Sequence, residues 1–339
     1  MPLKIFGLLI GVFAVSWLLT GLIRRYALGH DLLDYPNARS SHTHPTPTGG
    51  GAAIALGFFL AIGALHYWGL LNRDVSWALL GGGVLVAFIG AWDDITPIVA
   101  KWRLLAHLLA ALWAVYCISA PASLNLGIYT LELGWAAYPL WVLAVIWLTN
   151  LYNFMDGIDG LAGVQAVTAS LAGGVLLWWL NAPGLAGVSL ALAAASGGFL
   201  IWNWPPARIF MGDVGSGLLG FSFAVLALAG EWSHAMPAAV WMILLALFIL
   251  DTSYTLFARM LRGEAWYHAH RSHVYQRLVQ TGMPHRRVTL WALLINIVVL
   301  WTAAGIICVY PGLLPWVLVV VAMAGWLLWW GVRSKFSNP

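Results

Sequence analysis

Two adjacent carboxylates, Asp93 and Asp94, stand at the end of an apolar run, within the stretch Gly90–Pro97. Like charges side by side repel each other, so such a pair is favoured where a metal or another cation neutralises it, or where a reaction needs a proton acceptor. The alternative is a solvated helix end that carries two acids. The pair is therefore one candidate site, with two readings open.

A second polar stretch repeats side chains at intervals of three residues: Asn150, Asn153, Asp156 and Asp159. On a helical turn this spacing places the four groups on one face. Amides and carboxylates on such a face could bind a cation, a ribose or the edge of a base. Gly157 and Gly160 permit a tight turn and a close approach of a ligand. An ordinary helix cap at the membrane interface is the other interpretation.

A third stretch, residues 203–217, sets Asp213 among glycines at the start of an apolar run. The backbone amides at a helix N-terminus suit a phosphate, and a carboxylate suits a hard ion such as Mg²⁺. The P-loop pattern is absent, which excludes a Walker-type NTPase. A simple capped helix start would also give this sequence.

The longest polar loop, about residues 259–287, is rich in arginine and histidine around His270, Arg271 and His273. Such a cluster suits a diphosphate, and a basic loop attracted to anionic lipid is the alternative. The histidine spacing would also allow zinc, but no nearby cysteine completes such a site and the arginines would repel the metal. The stretch Asp34–Gly51 could wrap a phosphate or serve as a rigid connector. His107 lies inside an apolar run and is either functional or a buried core residue.

The elements that must position these groups are membrane spans. The chain has 339 residues, of which 62% are hydrophobic and 8% charged, whereas an ordinary soluble domain has about 25% charged residues. So few charges could not cover the surface of a soluble fold, and the apolar content excludes intrinsic disorder. The net charge of +4 is small and scattered, so we expect membrane lipid and no nucleic acid as a partner.

The predicted fold is an all-α, polytopic integral membrane protein, a single transmembrane catalytic domain over residues 1–339. A spanning helix needs about 20 apolar residues, and eleven runs qualify. They cover about residues 3–23, 50–71, 76–92, 104–121, 134–151, 160–181, 184–202, 214–230, 235–258, 288–310 and 313–332. The predicted cytoplasmic loops are about 24–49, 93–103, 150–160, 203–213 and 259–287.

The positive charges predict the orientation of these spans. Of the 16 lysines and arginines, all but Lys4 and Arg73 fall in one set of alternate loops or in the C-terminal tail. Cytoplasmic loops carry such an excess, so we expect a periplasmic N-terminus and a cytoplasmic C-terminus. The expected arrangement is a multi-pass membrane protein whose charged loops face the cytoplasm.

The acids follow the same division, which topology does not require. Of the 12 aspartates and glutamates, all but Asp74, Glu132 and Glu231 lie at or near the predicted cytoplasmic face. Acids gathered at one face favour a site for phosphate chemistry over a scaffold. A transporter or lipid flippase with a cation relay is the rival, but it would place its acids near the bilayer midplane.

In motif order, the chain resembles the polyprenyl-phosphate N-acetylhexosamine-1-phosphate transferases (glycosyltransferase family 4), which include phospho-MurNAc-pentapeptide translocase. The resemblance covers about residues 30–290 and looks most like the WbpL-type branch that initiates O-antigen synthesis. It is carried by Asp93-Asp94 with Lys101, by Asn150–Gly160, by Phe210–Asp213 and by His270–His273.

The resemblance implies that a UDP-HexNAc donor and undecaprenyl phosphate give undecaprenyl-diphospho-HexNAc and UMP, with Mg²⁺ as cofactor. It also suggests a homodimer. Asp213 would then be the metal ligand with Asn153 beside it, and Asp93 or Asp94 would deprotonate or orient the lipid phosphate. The remaining residues would bind substrate: His273 with His270 and Arg271 at the donor phosphates, Lys101 at a phosphate, Phe210 on uracil, and Asn150, Asp156 and Asp159 at the nucleoside or around the metal.

Overall fold

The computed structural model describes residues 2–36, 42, 44–264 and 271–335, and this part of the chain is a bundle of helices with two small antiparallel strand pairs. The predicted all-α polytopic architecture is confirmed, and the chain is an integral membrane protein. His270 lies outside the described residues, as do Arg39 and His268.

The helices follow one another as α1 (Pro2–Gly29), α2 (Gly51–Tyr67), α3 (Arg73–Trp77), α4 (Gly83–Ile95), α5 (Ala100–Ile118), α6 (Ala137–Phe154), α7 (Leu161–Trp179), α8 (Pro183–Asn203), α9 (Asp213–Trp232), α10 (Ala238–Leu244), α11 (Ala246–Leu261), α12 (Val274–Gln280), α13 (His285–Leu294), α14 (Trp301–Val309) and α15 (Leu314–Ser334). Short π-helical stretches join α3 to α4 and α13 to α14, at Ala78–Gly82 and Ile295–Leu300. One-turn 3₁₀ helices precede α6 and α15, at Gly134–Ala136 and Pro311–Leu313.

The strands are β1 (Leu33–Asp34), β2 (Thr46–Pro47), β3 (Ser123–Asn125) and β4 (Thr130–Glu132). β1 pairs with β2, with Asp34 opposite Thr46. This pairing closes the first polar loop on itself and brings Asp34 back beside the start of α2.

The eleven predicted spans all have helical counterparts, but two of them differ from the expected straight crossing. In the described residues, nine helical segments are long and apolar enough to cross a membrane, and a tenth is a bent pair. α2 has only 17 residues, at the lower limit for a crossing. The run predicted at about 235–258 is broken into α10 and α11, which meet at an angle of 81°.

A buried polar network holds this break. The carbonyl oxygen of Leu244 accepts a hydrogen bond from Nε2 of Gln165 at 2.9 Å. Nδ2 of Asn296 donates to Oε1 of Gln165 at 3.0 Å and to Oγ1 of Thr168 at 2.8 Å. Carbonyls freed by a broken helix must be satisfied by neighbouring side chains in a membrane, and Gln165 does this.

The central helix is α9, in which 94% of the residues of the apolar stretch are buried. α4 reaches it at Gly90, where an added Cβ would lie 2.6 Å from the backbone of Asp213. Because only a glycine permits this approach, the end of α4 lies directly against the start of α9. The carboxylates of Asp93 and Asp94 are thereby brought to Asp213.

The opposite end of α9 is fixed by Glu231, which is buried. Its Oε1 accepts a hydrogen bond from the backbone of Asn125 at 2.8 Å, and its Oε2 accepts one from Ala238 at 2.7 Å. Glu231 thus ties the β3–β4 hairpin and the start of α10 to α9, far from the acids at the other end.

Candidate functional site

A cavity of about 460 Å³ opens at the N-terminal end of α9. Loops and helix ends from the whole length of the chain line it, including β1, the end of α6 and the start of α13. Six of its lining residues are aspartates: Asp34, Asp93, Asp94, Asp156, Asp159 and Asp213. So many carboxylates around one cavity repel one another unless protons or cations offset their charge.

The two adjacent acids do different things. Oδ1 of Asp94 accepts the backbone N–H of Asp213 at 2.7 Å, and Oδ2 accepts that of Val214 at 3.2 Å. This carboxylate therefore caps the positive end of α9, an arrangement that stabilises a helix. Asp93 instead accepts the backbone N–H of Ile98 through Oδ1 at 2.6 Å and leaves Oδ2 for another partner.

That partner is Arg103, in the first turn of α5. Its Nη1 lies 2.6 Å from Oδ2 of Asp93 and 2.8 Å from Oδ2 of Asp213, so that one nitrogen bridges carboxylates from two helices. Lys101, which the resemblance places at a phosphate, does not form this bridge. Lys101 is exposed, with Nζ 5.4 Å from the ring centroid of Trp102, and it lies outside the cavity lining of the described residues.

Asn153 completes the surroundings of Asp213. Its Nδ2 donates to Oδ1 of Asp213 at 2.8 Å and to Oγ of Ser216 at 3.0 Å. Asn150, one turn earlier, donates instead to the carbonyl of Ile146 at 2.7 Å. It contacts His107 on α5, outside the cavity lining of the described residues, so the predicted four-residue face is divided.

Asp156 and Asp159 lie in the turn between α6 and α7, and both are half-buried. Burial raises the pKa of Asp156 to about 7, together with the negative charges of Asp213, Asp94 and Asp159. These surroundings therefore favour the protonated form of Asp156 more than for an ordinary aspartate.

Burial acts in the same direction on Asp159, but hydrogen bonds outweigh it and leave the pKa of Asp159 below its ordinary value. The backbone N–H of Ala207 donates to Oδ2 at 3.0 Å, and Nδ1 of His285 lies 3.3 Å from Oδ1. Asp159 is thus a charged anchor that joins α13 and the loop after α8 to the site.

Phe210 lines the cavity, as expected of a residue that could stack on a base. Its backbone N–H donates to the carbonyl of Pro47 at 2.7 Å, and its own carbonyl accepts the N–H of Gly50 at 2.9 Å. The ring meets that of His42 at 4.9 Å between centroids. The first polar loop is therefore packed against this wall of the cavity.

The described part of the basic loop places His273 beside α11. His273 is only 2% exposed and caps the start of α12, with Nδ1 3.5 Å from Oδ1 of Asp251. The same carboxylate accepts the backbone N–H of Val274 at 3.0 Å through each oxygen. In the part of the chain that is described, His273 and Arg271 lie outside the cavity lining.

Sequence reasoning missed several lining or neighbouring residues: Arg103, His42, Gln276 and His285. Arg103 stood beside Lys101 in the same basic pair and could not be preferred without the helix geometry. His285 begins α13, but its pairing with Asp159 joins residues more than a hundred positions apart.

The oxygen donors at Asp213 suit Mg²⁺. Among the described residues, no group of three histidine, cysteine, aspartate or glutamate side chains is close enough to hold a metal ion alone. Mg²⁺ is usually bound by one or two carboxylates with waters and substrate phosphates, not by an all-protein cage. Asp213, with the amide oxygen of Asn153, fits that mode of binding.

Comparison with known proteins points in one direction. Residues 76–231 match the family model described as glycosyl transferase family 4. A probable undecaprenyl-phosphate N-acetylglucosaminyl 1-phosphate transferase of Bacillus subtilis is 31% identical over 298 residues, which cover 83% of this chain and 79% of that protein.

Two further relatives extend the likeness. The undecaprenyl-phosphate alpha-N-acetylglucosaminyl 1-phosphate transferase of Escherichia coli K12 is 28% identical over 335 residues, covering 95% of this chain and 89% of that protein. A decaprenyl-phosphate N-acetylglucosaminephosphotransferase of Mycobacterium tuberculosis is 29% identical over 323 residues, covering 83% of this chain and 78% of that protein.

Proposed function

The chain belongs to glycosyl transferase family 4, and we propose that it transfers a HexNAc 1-phosphate from a UDP-HexNAc donor to undecaprenyl phosphate. An oxygen of the lipid phosphate attacks the β-phosphorus of the donor, and the bond from that phosphorus to the α-phosphate breaks. Undecaprenyl-diphospho-HexNAc and UMP are the products.

The observation that supports this proposal most directly is the junction at the start of α9. Asp213, Asp93, Arg103 and Asn153 meet there in one hydrogen-bonded group. Asp213, Asp93 and Asn153 line a cavity at the ends of membrane-crossing helices. A soluble nucleotide sugar and a lipid-borne phosphate can meet only at such a boundary, and both bring negative charge that cations must offset.

The proposed cofactor is Mg²⁺, which when bound neutralises the diphosphate and the charge that develops on departing UMP. Asp213 and the amide oxygen of Asn153 would hold it. Asp93 and Asp94 are proposed to deprotonate or orient the lipid phosphate. Asp94 suits the orienting role, because its oxygens are bonded to the backbone of α9.

The other substrate contacts are proposed from the resemblance and from position. Phe210 lies in the cavity wall where a uracil ring could stack, since bases stack readily on aromatic side chains. Asp156 and Asp159 face the same space. The resemblance also proposes contacts outside the described lining: His270, His273, Arg271, Lys101 and Asn150.

UDP-GlcNAc is the first donor to test, because the relatives named above are N-acetylglucosaminyl 1-phosphate transferases. We propose that the product initiates O-antigen or a related cell-surface polysaccharide. The basic loops support a bacterial inner membrane location with the cavity on the cytoplasmic side. A homodimer, suggested by the resemblance, is part of the same proposal.

The decisive experiment incubates the purified full-length protein with Mg²⁺, undecaprenyl phosphate and, in turn, UDP-GlcNAc, UDP-FucNAc and UDP-QuiNAc. We expect UMP release with at least one donor and a lipid-linked sugar diphosphate in equal amount. Reactions without the lipid are the control, since they detect simple hydrolysis. Absence of UMP with every donor would refute the transferase proposal.

A further inference from the structure

The guanidinium of Arg103 is bonded to an oxygen of Asp213, the residue proposed to hold the metal ion. Its Nη1 is 2.8 Å from Oδ2 of Asp213 and 2.6 Å from Oδ2 of Asp93. The other oxygen of Asp213 accepts a hydrogen bond from Asn153. Both oxygens of the proposed metal ligand therefore already have partners.

The contact between Arg103 and these acids is of a kind that can exchange. Arginine binds a carboxylate most firmly through two parallel hydrogen bonds to one partner. Here a single nitrogen is shared between two carboxylates, with one bond to each. The side chain is also 35% exposed, so solvent weakens the ion pairs.

The negative charge of the cavity explains why the positive charge of Arg103 is needed there and why Arg103 should move. Six aspartates line the cavity, and without a cation their mutual repulsion would be large. The same carboxylates would repel an incoming diphosphate. One positive group could neutralise the acids before the metal binds. It could then contact the phosphates once the metal has taken its place.

We propose that Arg103 is a displaceable counter-cation, which occupies Asp213 until a divalent cation enters with the donor diphosphate and then contacts the phosphate oxygens. This rests on the proposed function, since it assumes a divalent cation and a UDP-linked donor. In this proposal Arg103 first binds the carboxylates and then the phosphates. Metal and nucleotide binding are therefore cooperative: the metal releases Arg103 to the phosphates, and the phosphates hold Arg103 away from the metal ligand.

The test measures binding of Mn²⁺, in place of Mg²⁺, by electron paramagnetic resonance, with and without UDP. For the unaltered protein we expect weak Mn²⁺ binding alone and a clear gain with UDP. Arg103→Gln removes the competitor, so Mn²⁺ alone should bind about fivefold tighter or more, and the gain from UDP should shrink by a similar factor. Arg103→Lys should lie between the two.

Arg286→Gln is the matched control, because Arg286 is exposed beside the cavity residue His285. It removes one positive charge from the same end of the molecule and should leave both Mn²⁺ affinities within about twofold, as expected for a screened surface charge. Thermal melting of each variant verifies folding, and Arg103→Lys preserves the charge if Arg103→Gln is unstable.

Weaker or unchanged Mn²⁺ binding in folded Arg103→Gln would overturn the inference while leaving the transferase proposal intact. An undiminished gain from UDP in that variant would overturn it as well, because the phosphate contact would then be missing. If the unaltered protein releases no UMP yet shows the Mn²⁺ and UDP linkage, the proposed reaction fails and the role of Arg103 stands.

Discussion

At the scale of single residues, the acids of the cavity have distinct surroundings in spite of their similar chemistry. Asp94 is bonded to backbone amides, Asp93 and Asp213 share Arg103, and Asp159 is paired with His285. Asp156 has a raised pKa because burial and three neighbouring carboxylates act on it together. Their roles follow from these partners, not from the residue type.

Asp213→Asn should abolish most Mg²⁺-dependent turnover. The amide has nearly the same shape but no negative charge, so it holds neither the metal nor Arg103 strongly. We expect UMP release to fall by about a hundredfold or more, as when an essential electrostatic group is removed. Ser233→Ala, on the opposite end of α9, serves as the control. Full Mg²⁺-dependent turnover in Asp213→Asn would exclude this residue as the metal ligand.

Asp156→Asn should change the pH dependence of stability. The pKa of this carboxyl is about 7 in the folded protein and 3.8 without the fold. The folded state therefore binds more protons between those values, and stability falls as pH rises from about 4 to 7. In metal-free buffer the asparagine variant should melt higher than the unaltered protein at pH 8 and lose that advantage toward pH 5. A difference that is constant across this range would contradict the assignment.

At the scale of elements, the site depends on how closely α4 approaches α9. Four helix ends meet around Asp213: the last turns of α4 and α6 and the first turns of α5 and α9. The glycine at position 90 sets the distance between the first and the last of these. A small change in that packing should therefore reduce the catalytic rate more than it reduces folding stability.

Gly90→Ala should separate the two helix ends. The added Cβ would lie 2.6 Å from the backbone of Asp213, which has no flexible end to yield. Overpacking of this kind costs about 1–3 kcal/mol, and we expect UMP release to fall with it. Gly63→Ala is the matched control, because nothing lies within 4 Å of its added Cβ. Equal activity in the two variants would show that the close approach is unimportant.

At the scale of the whole molecule, the bundle has two chemically different ends. The cavity and its aspartates occupy one end of α9, and the other end is closed by Glu231 with the β3–β4 hairpin. Between them, the break between α10 and α11 is held by Gln165 and Asn296 inside the apolar bundle. The positive charges predict which end faces the cytoplasm.

Asn296→Leu should destabilise the bundle without touching the cavity. Loss of both amide hydrogen bonds leaves Gln165 and Thr168 short of a partner in an apolar setting. Such interhelical bonds contribute about 0.6–2 kcal/mol in membranes, so the melting temperature should fall by several degrees, as measured in detergent. Thr302→Val, which alters an exposed hydroxyl bonded along its own helix, should change it little. Equal melting of the two variants would show that the network contributes nothing.

The amino-acid sequence alone determined the class of the fold and the set of groups from which the site is drawn. Long apolar runs can be satisfied in a bilayer only as helices, so the architecture followed from hydropathy. The acids stood out because charge is scarce in this chain, and Asp93, Asp94, Asn153, Asp156, Asp159, Phe210 and Asp213 all line the cavity.

Only the tertiary structure decided which of these groups meet and what each one contacts. Hydropathy could not show the 81° break, because the two helices together are apolar enough to be predicted as one span. Spacing along the chain could not separate Arg103 from Lys101, because the choice depends on which side of α5 faces Asp213. Nor could it show His273 turned to Asp251, or His285 joined to Asp159. These contacts join distant parts of the chain, and the packing of helices fixes them.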